Sequence, residues 1–209
     1  MWRCSCDPSE LLEGSYIAGL MKDFVDEIDA ALLSEGPIAR EKVIEWIDST
    51  SDLPTLAKLY RLTDEAYQRI KPELGEEPTC GLIQRYLLEC IRQDAAETDE
   101  IQGRWEAAST LHSWFCHLAT MGEDNSAILR PASDAITELF LTGSDDVRNA
   151  IEQGFLEHAL EMEGLRRYFE HWSADPILRE AWERALEWGK AHPNFTWGLL
   201  QQLKSVQEE

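Results

Sequence analysis

The chain has 209 residues, of which 44% are hydrophobic and 28% charged, and its eight Trp, five Tyr and six Phe exclude a disordered polymer. Nineteen Lys and Arg face forty Asp and Glu, a formal net charge of −21. That balance opposes binding to a phosphate backbone or an anionic membrane surface and favours a basic protein partner.

Residues 1–103 hold 22 acids and 10 bases, and residues 104–209 hold 18 and 9, so the excess is spread along the chain and is not an acidic tail. The opening Met1-Trp-Arg-Cys-Ser-Cys-Asp-Pro8 has no apolar core of signal-peptide length, and no run of about 18 apolar residues occurs anywhere. A cytoplasmic protein without a transmembrane helix is expected. The five cysteines, Cys4, Cys6, Cys80, Cys90 and Cys116, are odd in number and irregularly spaced. Reduced thiols fit that pattern better than a disulfide framework.

Helical periodicity dominates, and no convincing alternating strand is found. A first helix is expected over 9–33, from the stripe Leu12, Tyr16, Leu20, Phe24, Ile28 and Ala31, with Asp7-Pro8 as its start signal. Gly36-Pro37 breaks the chain. A short helix over 38–48 turns Val43, Ile44 and Ile47 inward. Ser51-Asp-Leu-Pro54 opens a third helix to Ile70, with Leu56, Leu59, Tyr60, Ala66 and Tyr67 on one face. Lys71-Pro72 through Pro78 reads as a loop. A fourth helix covers 79–95. The Thr98-Asp-Glu-Ile101 segment looks like the start of a fifth, running to Met121 with Gly122 as cap.

Helices over 126–141 and 144–162 follow, stopped by Gly143 and Gly164, then a short one over 165–172. Asp175-Pro176 repeats the start signal and opens a helix to Ala191. His192-Pro193-Asn194 ends it, and a last helix covers 195–206. The expected fold is all-α, about ten helices in an orthogonal bundle or irregular α-solenoid, as one domain over 1–209. The polar stretch 92–104 is the best place for any subdivision. No fixed internal period is present.

Three constellations bear on chemistry. His112 and Cys116 lie four apart, share a helix face and form the best seed of a metal site, but Trp114, Phe115 and Leu118 around them favour a packed aromatic helix. Cys4, Cys6, Glu157, His158 and His171 are the other donors such a site would draw on. Asp23, Asp26, Glu27 and Asp29 gather on the first helix opposite its apolar stripe. Like charges at helical spacing repel by a few tenths of a kcal/mol per pair, so the cluster is either a solvated face or a docking surface for Lys and Arg. A second acidic group, Glu97, Asp99 and Glu100, is explained by the helix dipole. Trp105, Trp114, Trp172, Trp182 and Trp188 fit helical core patterns, and Trp197 is less constrained. No Glu-x-x-His pair, His-Glu-x-x-His, Gly-x-Ser-x-Gly or P-loop sequence occurs, and Gly189-Lys190 runs into Ala191. No cofactor is expected.

The stretch Val147-Arg-Asn-Ala-Ile-Glu-Gln-Gly-Phe-Leu-Glu-His-Ala-Leu-Glu161, with Tyr168-Phe-Glu-His-Trp172 and Asp175-Pro to Trp188-Gly189, resembles helical immunity-type proteins of bacterial polymorphic-toxin loci. The likeness covers roughly the last 65 residues. It implies structural roles: Gly154 lets helices approach, Phe155 and Leu156 fill the core, and Asp175 caps. It carries over no toxin-binding residue. The expectation is a non-catalytic acidic binding protein that neutralises a basic toxin, with Asp23, Asp26, Glu27 and Asp29 facing the partner. A helical adaptor, and an enzyme using carboxylates or a His112/Cys116 metal site, stay open as alternatives.

Overall fold

The computed structural model describes residues 24–94, 98, 101–120 and 125–192, and these are predominantly helical with very little strand. The Asp7-Pro8 start signal, Cys4, Cys6, Asp23, Glu97, Asp99, Glu100, Gly122, Trp197 and the expected helix over 195–206 lie outside them. Among the described residues, no helix is long and apolar enough to cross a membrane. The chain divides into two compact units, Met1–Ile83 and Gln84–Glu209. The division falls inside a helix, upstream of the polar stretch 92–104.

In the first unit, helix α1 covers residues 24–33 and ends before Gly36-Pro37. Helix α2 is Arg40–Ser49 and α3 is Leu53–Glu65. The Asp52 side chain caps α3 by accepting from Thr55 N at 3.0 Å, and Pro54 sits in the first turn, where its missing N–H has no intrahelical partner to lose. Ile28, Val43, Trp46, Leu56, Leu59 and Leu62 are buried together with Ile70 and Leu74.

Three expectations are corrected here. The third helix stops at Glu65, because Ala66 leaves helical angles at φ −121 and ψ 11. Tyr67–Arg69 then tightens into a 3-10 turn. Strands are also present: Ile38–Ala39 (β1) and Ile70–Lys71 (β2) pair in parallel, Ile38 with Ile70 and Ala39 with Lys71. Two-residue strands are too short to show an alternating pattern. The expected loop before the fourth helix is shorter too, since α4 spans Glu76–Gln93 and takes Pro78 into its first turn.

The second unit holds the rest of α4, then α5 (Arg104–Thr120), α6 (Ser126–Thr142) and α7 (Asp145–Ile151). Thr98 does not start α5. Its hydroxyl accepts from Ile101 N at 3.0 Å and its own N–H donates to Ile101 O at 3.1 Å, which closes a separate turn. Ser144 caps α7 through Val147 N. The expected helix over 144–162 is interrupted by a π-helical turn, Glu152–Leu156, before the short α8, Glu157–Ala159. After α9 (Glu163–Arg166) and a 3-10 turn (Glu170–Ala174) comes α10, Arg179–Ala191. Asp175 does not open α10 directly. It accepts from Ile177 N at 2.7 Å and Leu178 N at 3.1 Å, holding a turn that precedes the helix.

An aromatic cluster forms the core of this unit. Phe115 meets Phe155 at 5.5 Å and Tyr168 at 5.7 Å, both edge to face, and Phe155 meets Phe169 at 5.6 Å. Such pairs add ~0.5–1.5 kcal/mol beyond the burial of their area. Trp172 is fully buried and satisfies its indole N–H on Thr137 Oγ1 at 2.7 Å. Trp182 is buried, whereas Trp105, expected in the core, is 52% exposed. It sits at the second position of α5 and lies across Gly154.

Arginines close helix ends. Within the first unit, Arg69 donates to Ala31 O at 2.6 Å at the end of α1. Within the second, Arg104 donates to Ile91 O at 2.8 Å, Arg148 to Phe140 O at 3.0 Å and Arg166 to Leu160 O at 2.9 Å. Each answers a carbonyl in or next to the last turn of a helix, where intrahelical donors run out.

Gly189 is required by close packing. A Cβ there would lie 2.6 Å from Leu160 C, 2.7 Å from its carbonyl oxygen and 2.8 Å from Glu161 N, all main-chain atoms. Gly189→Ala should therefore cost about 1–3 kcal/mol. Gly81, on the exposed side of α4, meets nothing within 4 Å. Gly81→Ala should stabilise by about 0.5–1 kcal/mol through helix propensity alone. Urea denaturation of the two variants checks the opposite signs.

Candidate functional site

Three places deserve comparison, and the first is the acidic face of α1. Asp26 is exposed. Glu27 accepts from Trp46 Nε1 at 3.0 Å and pairs with Lys42 Nζ at 2.9 Å, so both partners hold its carboxyl below the ordinary carboxylate range, Lys42 most strongly. Asp29 pairs with Lys58 of α3. Lys42 also reaches Glu45 at 3.2 Å and lies over the rings of Phe24 and Trp46. Two of the four acids expected to face a partner thus pin α1 to α2 and α3. Asp26 stays on the outside, and Asp23 is beyond the described residues.

The second place surrounds His112 and Cys116, brought together as their spacing on one helix face predicts. Cys116 Sγ lies 3.1 Å from His112 Nε2, and both residues are buried. The imidazole also hydrogen-bonds the main chain of His158. Burial lowers the His112 pKa to about 4, with His158 adding to the effect, and burial raises the Cys116 thiol to about 12. At neutral pH the pair is therefore a neutral imidazole beside a protonated thiol, a packed polar contact rather than a thiolate with a charged base. His158 Nδ1 lies 2.8 Å from Glu161 Oε1, and the Glu161 side chain is buried. His158 also meets Trp188 edge to face at 4.8 Å, and Trp188 stacks on His192 at 4.3 Å. Among the described residues, no three His, Cys, Asp or Glu are placed to hold a metal ion. His171 is elsewhere, with Nε2 3.2 Å from Thr137 Oγ1.

The third place, which the sequence did not single out, is a groove in the second unit. Phe140 of α6 and Asp145, Arg148 and Asn149 of α7 line one side; Ile177, Glu180 and Arg184 line the other. Glu152, from the π-helical turn, lies within it and is 8% exposed. Arg184 grips that carboxylate with both arms of its fork, Nε to Oε1 at 2.6 Å and Nη2 to Oε2 at 2.8 Å, and gives Nη1 to Glu180 at 2.7 Å. These bonds hold the guanidinium firmly protonated, its pKa raised by Glu152 first. Ile177 stands 62% exposed at the groove, and Leu141, next to Phe140, is also exposed. The sequence reads Asp175-Pro176 as a helix start, which puts Ile177 inside the helix, and no residue pattern marks it as exposed.

The chain matches no protein-family profile, no curated protein and no solved structure.

Two measurements test these readings. His112 titrates near 4 when folded and near 6.5 when unfolded. The unfolded chain therefore binds more protons between those values. Stability due to this residue is complete above about pH 6.5 and is lost as pH falls toward 4, by at most ~3 kcal/mol. His112→Gln should flatten the dependence of urea midpoint on pH in that window; an unchanged slope refutes the assignment. Arg184→Met leaves Glu152 without its bidentate partner and should cost about 2 kcal/mol, less than a fully buried pair because Arg184 is half exposed. Adding Glu152→Gln should recover part of that loss.

Proposed function

We propose that the chain is a non-catalytic acidic binding protein, an immunity-type inhibitor that neutralises a basic toxin by binding it. The observation that carries the reading is where the charges go. Residues 24–83 hold thirteen Asp and Glu against six Lys and Arg. Lys42, Lys58 and Arg61 are held by carboxylates, and Arg40 and Arg69 by main-chain carbonyls. In the second unit Arg92, Arg104 and Arg184 pair with carboxylates, while Arg148, Arg166 and Arg179 donate to carbonyls.

Most of these cations already meet carboxylates or carbonyls of the chain itself, and exposed carboxylates outnumber them. Asp26, Glu35, Glu41, Asp48 and Asp64 are exposed in the first unit, and Asp145, Asp146, Glu163 and Glu183 in the second. A surface of one sign accelerates encounter with a basic partner and rejects acidic ones. Fast capture suits an inhibitor that must act before its target does.

A pull-down with the full chain from its native host lysate, at low and moderate salt, tests this. The expected result is one basic protein retained near one to one, less strongly as salt rises, whose toxicity is suppressed when the two are co-expressed. Many proteins of mixed charge at low yield would favour an adaptor and overturn the inhibitor reading. Retention of no protein at either salt would overturn charge-steered binding itself.

A further inference from the structure

The geometry points to the groove between α7 and the start of α10 as the docking site for a lysine or arginine side chain of the basic partner, its aliphatic stem on Ile177 and its charge on Asp145 and Glu180. This rests on the reading of the chain as a binder of a basic protein and names the surface.

Three observations converge there. The first is a fixed apolar post. Ile177 is 62% exposed, one of the largest exposures of any large hydrophobic residue described. It is held by a turn in which its own N–H donates to Asp175 Oδ1 at 2.7 Å. A rigid apolar contact loses little freedom on binding, which favours it as an anchor.

The second is the sign of the charge the groove presents. Its two arginines are already engaged: Arg184 on Glu152 and Glu180, and Arg148 on Phe140 O and on Leu141 O at 3.3 Å. Asp145 and Glu180 have side chains 95% and 83% exposed. Asp145 touches Arg148 only at 3.7 Å, too far for a hydrogen bond. An incoming cation therefore meets Asp145 directly and shares Glu180 with Arg184.

The third is pre-organisation. Glu152 and Arg184 form a bidentate pair behind the rim and fix one wall of the groove. A long basic side chain suits this combination, since it offers an apolar stem and a charged head. A short polar or acidic side chain does not.

The test uses the full chain, isotopically labelled, in 150 mM salt (about one Debye length of 8 Å). The probe is the peptide acetyl-Ala-Lys-Leu-Lys-Ala-amide, with norleucine replacing both lysines as the uncharged control. The lysine peptide should give saturable amide shifts centred on Asn149, Ile177 and Ala181, and the norleucine peptide should give none. Ile177→Ser, and separately Asp145→Asn with Glu180→Gln, should each weaken binding about fivefold or more, with the circular dichroism spectrum unchanged. Shifts centred on α1, equal affinity for the variants, or no saturable binding would overturn the groove assignment. The wild-type pull-down then decides the wider reading separately. A basic partner retained equally by Ile177→Ser leaves that reading standing and removes only this site.

Discussion

Guanidinium groups on helix C-terminal carbonyls are the constraint from which much of this structure follows. A helical chain with twice as many acids as bases faces two electrostatic problems. Its surface carboxylates repel one another, and every helix ends in carbonyls that carry partial negative charge. Lysine can neutralise a helix end, but arginine can also reach several oxygens in a fixed plane. Arg69 does so at the end of α1, bonding Ala31 O, Gly36 O and the Ser34 hydroxyl. Arg104, Arg148 and Arg166 repeat the arrangement elsewhere. These four arginines are committed to helix ends, which leaves fewer cations to balance the surface carboxylates of a chain with forty acids and nineteen bases.

The π-helical turn Glu152–Leu156 concentrates the second unit's close contacts. One extra residue in the turn changes which side chains face inward, and Glu152, Phe155 and Leu156 are all buried. Gly154 lets the turn approach α5, where a Cβ would meet Ala108 Cβ at 2.9 Å. Glu152 reaches Arg184, Phe155 joins the aromatic cluster, and His158 follows one short turn later. A wide turn of this kind is less stable than regular helix and persists where side-chain contacts outweigh the loss. Here those contacts include a salt bridge on one side and an aromatic edge on the other.

Local signals were legible in the sequence and long-range ones were not. The all-helical class followed from apolar periodicity, and the turns at Gly36-Pro37 and Gly143 from backbone chemistry. His112 and Cys116 lie four residues apart, so their contact needed no knowledge of the fold. By contrast, Glu27 and Trp46 are 19 residues apart and Glu152 and Arg184 are 32 apart. With forty acids in the chain, nothing in the residue pattern selects which carboxylate meets which base. The two-residue strands carry no periodicity, and the reason for Gly189, the Leu160 main chain packed against it, is invisible in the sequence, where Gly189-Lys190 serves only to exclude a phosphate-binding loop. Trp105 reads as core by spacing alone, but a first-turn position at a helix end can leave a side chain half outside.

The same long-range pairing reweighs the acids. On α1, Glu27 and Asp29 are tied to Lys42 and Lys58. A basic partner approaching that face would compete with existing ion pairs, and the net gain would be the difference between two similar interactions. At the groove, Glu180 is likewise tied to Arg184 at 2.7 Å, but Asp145 lies 3.7 Å from Arg148, and the exposed Ile177 lines the same groove. Exposed charge pairs contribute little by themselves, ~0–1 kcal/mol. Affinity therefore comes from places where a charge and a buried apolar contact form together. In the proposed binder, diffuse acidity would serve encounter, and a site combining Ile177 with Asp145 and Glu180 would hold the side chain that the field gathers.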